Sequence, residues 1–263
     1  MSIIVQDRGY VAGRGPSPII WADCPVEEII ADPTKGIHFF DDFINFAPIT
    51  TAGASGGYYG YIDGGNTIQQ LATEINGVVR LALDTTDDDE SCLITGGNTA
   101  GMVKVLSTAF KKLWFEARVR TSEVTTAGGL FVGLIEEASA DGDLVADGCG
   151  ALTTADYVGF RVLDDDNDGL DAAYRCYNQT EQVVQNAAQV LEANTWYKVG
   201  LSVDETGILR YYVNGAQVGS NVQWSDAATF PDGEELALAI ARKNGTGAAD
   251  SIDIDWWRCA QLA

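Results

Sequence analysis

Basic residues are scarce in this chain: 16 Lys and Arg stand against 38 Asp and Glu in 263 residues, a formal charge of −22. Each bound phosphate calls for a neighbouring cation, so nucleic-acid backbones and anionic lipid surfaces are excluded as partners, and the acidity serves solubility. Histidine occurs once, at His38, with no Ser or Cys in a nucleophile setting beside it, so no triad can be proposed. The five cysteines (Cys24, Cys92, Cys149, Cys176 and Cys259) are widely spaced and include no C-x-x-C pair, which argues against a zinc site. Their odd number does not fit a secreted disulfide framework. The opening MSIIVQDRG lacks the basic segment and long apolar run of an export signal, and the sequons at Asn178 and Asn244 are expected to stay unmodified. No run is long enough to span a bilayer, so no membrane is expected as a partner. Six prolines against 29 glycines, with no long amphipathic helical period, suit many short strands joined by turns.

The segment from Trp196 to Gly219 carries the clearest structural signal. Val199, Leu201 and Val203 alternate with Lys198, Gly200, Ser202 and Asp204, a period of two that buries one face of a strand. Asp204-Glu205-Thr206-Gly207 breaks the run, Ile208 to Val213 resumes it, and Asn214-Gly215 supplies the two positive-φ residues of a type I′ hairpin. Asn76-Gly77 reads as another such turn. Further strands are expected at 91–95, 103–108, 112–121, 129–136, 157–163, 172–177, 182–186, 236–241 and 252–259. This spacing predicts an all-β, antiparallel two-sheet sandwich.

Residues 1–37 differ from the body at 38–263. Gly9, Gly13, Gly15, Pro16, Pro18, Pro25 and Pro33 punctuate a segment with no sustained apolar period, read as an extended N-terminal arm with a short helix over 26–31. Its apolar residues Ile3, Ile4, Val5, Ile19, Ile20 and Trp21, with Arg8 and Arg14, need another surface to pack on. Either the body of the same subunit or a neighbouring subunit can receive them.

LWFEARVRTSEVTTAGGLFVGLIE (113–136), NTWYKVGLSVDETGILRYYVNGAQV (194–218) and SIDIDWWRCAQ (251–261) follow one another as in the concanavalin A-like, laminin-G-like jelly rolls, which this chain resembles. The superfamily includes the family-16 β-glucanases, whose Glu-x-Asp-x-x-Glu strand places two catalytic carboxylates on the concave face. The strand in the matching place here reads ADYVGFRVLDDDND, where Asp156, Gly159 and Arg161 do not supply that pattern, so no enzymatic activity is expected.

Asp164, Asp166 and Asp168 imitate the first half of an EF-hand loop, but the twelfth position is Arg175 and the flanks are strands. A calcium ion held at this loop, or a solvated acidic hairpin, are the two readings; no other cofactor is implied. Tyr58, Tyr59, Tyr61 and Trp224 are candidate glycan contacts by their loop setting, whereas Trp114, Trp196 and Trp256 are expected to pack. Trp256 and Trp257 must lie on opposite faces of their strand. An acidic jelly roll with an apolar leading segment and no catalytic set resembles the capsid decoration or cement proteins of tailed bacteriophages. That resemblance implies assembly in the host cytoplasm, a place on the capsid exterior, and the major capsid protein and copies of itself, as a dimer or trimer, as partners. A glycan-binding module of a phage fibre or adhesin is the alternative.

Overall fold

A computed structural model of the chain describes residues 13–74, 77–124, 128–153, 155–164, 169–245 and 247–263. The described residues form two antiparallel sheets stacked face to face. Strands β1 (Gly36–Asp41), β2 (Gly53–Ser55), β3 (Tyr58–Ile62), β4 (Thr67–Gln70), β5 (Val79–Ala82) and β6 (Glu90–Thr95) come first. They are followed by β7 (Val103–Lys104), β8 (Leu113–Thr121), β9 (Gly129–Glu136), β10 (Tyr157–Val162), β11 (Gly169–Arg175) and β12 (Gln182–Val190). The chain closes with β13 (Tyr197–Val203), β14 (Ile208–Val213), β15 (Ala216–Gln223), β16 (Glu235–Lys243) and β17 (Ser251–Leu262). The first sheet runs β15-β14-β13-β8-β17-β5-β4, with β1 also on β17; the second runs β12-β11-β10-β9-β16-β6-β3-β2, with β7 on β16. The sandwich expected from the strand pattern is therefore the fold.

Alternation fills the space between the sheets. Leu113, Phe115, Ala117 and Val119 of β8, Val199, Leu201 and Val203 of β13, and Leu130, Val132 and Leu134 of β9 point inward into one cluster. Asn214 and Gly215 adopt φ of 50° and 78°, and β14 and β15 pair as the Asn-Gly turn requires. Asn76-Gly77 falls in the connection between β4 and β5, with Asn76 outside the described residues, and the strand after it is shorter than its sequence pattern, beginning at Val79.

Both outer faces are covered. Residues 18–21 and 26–31 form short helices α1 (Pro18–Trp21) and α2 (Val26–Ala31) over the first sheet. Ile20, Trp21 and Ile29 are buried there against Trp114 and Ala260. Gly200 of β13 makes this possible, because a Cβ at that position would stand 2.9 Å from Ile20 Cδ1. Thus the body of the same chain receives Ile20 and Trp21, so these two are not free to reach a neighbour. Arg14 pairs with Asp255, which Arg118 also contacts at 2.6 Å. Ile3, Ile4, Val5 and Arg8 lie outside the described residues. Over the second sheet, the β9–β10 connection buries Ala140, Leu144, Val145, Cys149 and Leu152 against Phe131, Ile135 and Tyr157. Among the described residues, no helix is long and apolar enough to cross a membrane.

Candidate functional site: a cleft beside Phe40

Two open clefts of similar size differ in what their polar groups are doing. The first, of about 330 Å³, lies where β1 runs into the 42–47 turn and faces β2 and the start of β3. His38-Phe39-Phe40 is a strand in which neighbours point to opposite faces. Phe39 packs against the core, so Phe40 must leave it. Phe40 is 46% exposed, with its ring 6.4 Å from that of Trp256.

The turn after β1 is fixed by Asp41. One carboxylate oxygen accepts the Phe43 N–H at 2.6 Å and the other accepts the Tyr58 hydroxyl. Phe43 sits at φ 57° and is fully buried among Phe46, Tyr58 and Trp257, with ring centroids 5.9, 5.9 and 5.5 Å away. Burial, then the hydrogen bond to Asp41, pushes the Tyr58 phenol far up, so it remains a donor. The Gln70 side-chain amide donates to the Phe43 and Ile44 carbonyls. Gly77 supports the turn from below: at φ 75°, a Cβ there would stand 2.3 Å from Asp42 O and 2.4 Å from Ile44 N.

On this rigid base the cleft presents Phe40 and Ile44 as an exposed apolar wall, with Asp42, Asn45 and Ser55 as its polar rim. Among the described residues, the side chains of Asp42, Asn45 and Ser55 make no hydrogen bond within the chain. A ring with an open face beside uncommitted acceptors and donors matches what a sugar offers, an apolar C–H face and a rim of hydroxyls.

The second cleft, of about 360 Å³, opens on the outer face of the second sheet between β10, β11 and the β9–β10 connection. Its charges are already used. Glu181 holds Arg161 through contacts of 2.7 and 3.0 Å, and Asp171 contacts Arg161 at 3.3 Å. The Arg175 guanidinium donates to the carbonyls of Leu152, Thr153 and Ala155 and so ties the connection to the sheet. Asp171 also accepts the Ala187 N–H at 2.6 Å, holding a position at φ 44° where the β11–β12 register shifts. Tyr157 donates its hydroxyl to Glu181. This is a satisfied network whose members fix the wall and the edge strand.

The aromatic residues singled out in the sequence separate. Tyr58 is buried as the floor of the Phe40 cleft. Trp224 is 1% exposed, packed on Phe230 at 5.2 Å in the core, and burial leaves it no face to offer a sugar. Tyr59 and Tyr61 are half-buried against the cluster on the second sheet, away from the cleft. Trp114 and Trp256 are buried under the N-terminal segment, while Trp196 is half-buried with Arg118 and Arg120 4.3 and 4.5 Å from its ring centre. Trp256 and Trp257 do lie on opposite faces. His38 accepts a hydrogen bond from Arg258 Nε at 3.0 Å, and burial followed by that cation lowers its pKa. Asp164 is exposed; Asp166 and Asp168 fall outside the described residues. Among the described residues, no three acidic, histidine or cysteine side chains are grouped to hold a metal.

An antiparallel sandwich of two large sheets with loop-built clefts defines a jelly roll of the lectin and glucanase kind. The chain belongs to the concanavalin A-like lectin/glucanases superfamily: the Laminin_G_3 family model matches residues 95–254. Among solved structures, it resembles a protein of unknown function from Shewanella oneidensis MR-1 (TM-score 0.55, 16% identity, 91% of this chain and 94% of that one). It also resembles peanut lectin (0.56, 13%, 87% and 99%) and an endo-β-1,4-glucuronan lyase from the fungus Trichoderma reesei (0.52, 13%, 86% and 94%). At these identities the likeness is one of fold. No curated protein matches the chain.

Proposed function

We propose that this chain is a non-catalytic, glycan-recognising module whose binding site is the Phe40 cleft. The observation that carries this reading is the conjunction of an exposed Phe40 with the uncommitted side chains of Asp42, Asn45 and Ser55. Stacking on an aromatic face supplies affinity, and planar polar side chains select the arrangement of hydroxyls. Of the two carboxylates in the cleft, Asp41 is held by Phe43 and Tyr58, leaving Asp42 alone. A glycosidase needs two working carboxylates, so the cleft supports binding without turnover. Asp42 in a chain of charge −22 repels anionic sugars, so neutral or amino sugars are favoured. A glycan array run with and without chelator tests this. Binding of neutral glycans that is lost in Asp42→Ala supports the reading; release of cleaved sugar, or a blank array, counts against it.

A second reading, decoration of a tailed-bacteriophage shell, is favoured by Ile19 and Ile30. These are 69% and 65% exposed on the outer side of the N-terminal helices, where they offer apolar contact to a larger lattice. Capsid occupancy that falls in Ile19→Glu and Ile30→Glu supports it, and undiminished occupancy counts against it. The two readings are compatible in one particle-borne protein.

A further inference from the structure

The two longest edge strands carry no charge. β12 reads QVVQNAAQV and β15 reads AQVGSNVQ, 17 residues without Asp, Glu, Lys, Arg or Pro in a chain where 21% of residues are charged. They end the two sheets on the same side of the sandwich and converge mid-length, where Gly219 at φ 66° sits against Val184 and Gln185. Val183 and Val190 are 39% and 56% exposed. Monomeric sandwiches protect long edges with lysine, proline, inward charges or bulges, because an unpaired row of N–H and C=O groups invites another strand; β12 and β15 have register shifts against β11 and β14 but no charge. Of the other edges among the described residues, β2 has three residues, β4 has four and is covered at Ile68 by a bridge from Ile49, and β1, which pairs with β17 alone, has six and ends in Asp41. Among the described residues, only the β12/β15 side is long and bare of charge.

We infer that the β12/β15 side is a self-association surface, and that its occupant is the same side of a second copy of this chain. Charge makes the choice of partner. Two bodies of charge −22 repel wherever carboxylates face each other, and this strip lets copies approach without opposing charges. The exposed amides of Gln185, Asn186, Gln217 and Asn221, of which Gln217 donates to Asn221 and Gln185 to the Asn186 carbonyl, keep further donors and acceptors that form a self-complementary set. Nine residues of strand span about 30 Å and sheets stand about 10 Å apart; with the side chains on the outer faces the strip is roughly 20 Å wide, so a two-fold contact buries on the order of 1,000 Å² in total, the lower bound for a specific dimer.

Sedimentation velocity on the full chain tests this. The expected species has twice the 28.1 kDa chain mass and grows in proportion as salt screens the repelling bodies. Val183→Lys with Gln189→Lys on β12, and separately Gln217→Lys with Ser220→Lys on β15, are each expected to weaken association roughly tenfold or more while thermal unfolding stays unchanged. Thr67→Lys with Gln69→Lys on the β4 edge leaves it intact. A monomeric wild type overturns the inference, as does a dimer indifferent to both edge variants, or one lost equally in the β4 control.

Discussion

The two clefts hold similar volumes, one lined by aromatic rings and carboxylates and the other by arginines and carboxylates, yet one is finished and the other is open. Around Arg161, each carboxylate and each guanidinium already has its partner inside the chain, so the arrangement stiffens the second sheet and holds a bulged edge. Around Phe40, the partners are spent one layer lower, on Asp41, Tyr58, Phe43 and Gln70, and the groups at the surface are left uncommitted. A buried polar network that is complete is architecture; a rigid base with unpartnered groups above it is a place for a ligand.

The comparison breaks hardest at Arg161. Arg161→Ala leaves Asp171 and Glu181 facing each other without their cation, a loss of about 3–5 kcal/mol that is expected to lower Tm by roughly 10 °C. Glycan binding at low temperature should persist in that variant, since the Phe40 cleft lies elsewhere. Gly77→Ala acts on the other side of the comparison: a strained positive φ and a collision with the 42–44 backbone are expected to lower stability by about 1–3 kcal/mol and to abolish glycan binding together. Calorimetry and a binding titration on each variant separate the two patterns.

The next largest effect is a pH dependence of stability. Glu90 is fully buried, accepting the Leu144 and Val145 N–H groups, and burial pushes it up to about 8. Burial and contact with the Asp156 side chain likewise raise Glu136. A carboxyl whose folded pKa lies above its unfolded value stabilises the fold while protonated, and that contribution is lost as pH rises from about 4.5 through the folded value. Tm is therefore expected to fall by several degrees between about pH 5 and pH 8.5, and Glu90→Gln should flatten the profile. An unchanged slope in Glu90→Gln assigns the fall to general charge repulsion instead. The smallest change in stability with the largest selectivity is expected from Phe40→Ala. Loss of about 1–1.5 kcal/mol of stacking weakens glycan binding roughly five- to tenfold, with Tm moved by no more than a degree or two.

Much of the fold is written in local pattern. Asn214-Gly215 specifies its turn because few residue pairs accept two positive φ values in succession. The alternation of Val199, Leu201 and Val203 specifies which face is core. The site is written less plainly. Trp224 follows an edge strand in a segment that reads as loop, and nothing local shows that the chain turns there to bury it on Phe230. Phe40 carried a usable signal: in His38-Phe39-Phe40 two adjacent rings cannot both enter the core. What no local pattern shows is commitment. That Asp41 is spent on Tyr58 while Asp42 is not, or that Arg161 is closed off by Glu181 from the β11–β12 connection, depends on contacts between residues 17 and 20 positions apart in sequence. The bare edges of β12 and β15 were legible throughout as stretches without charge; their meaning needed the strand order.

Hydrogen exchange with and without saturating neutral glycan tests the contrast between the clefts most directly. Slowed exchange confined to residues 40–47 and 53–58 is the result expected if Phe40, Asp42, Asn45 and Ser55 form the recognition surface. Slowing at 150–153 and 171–186 with none around Phe40 would place the ligand on the Arg161 network and contradict the account.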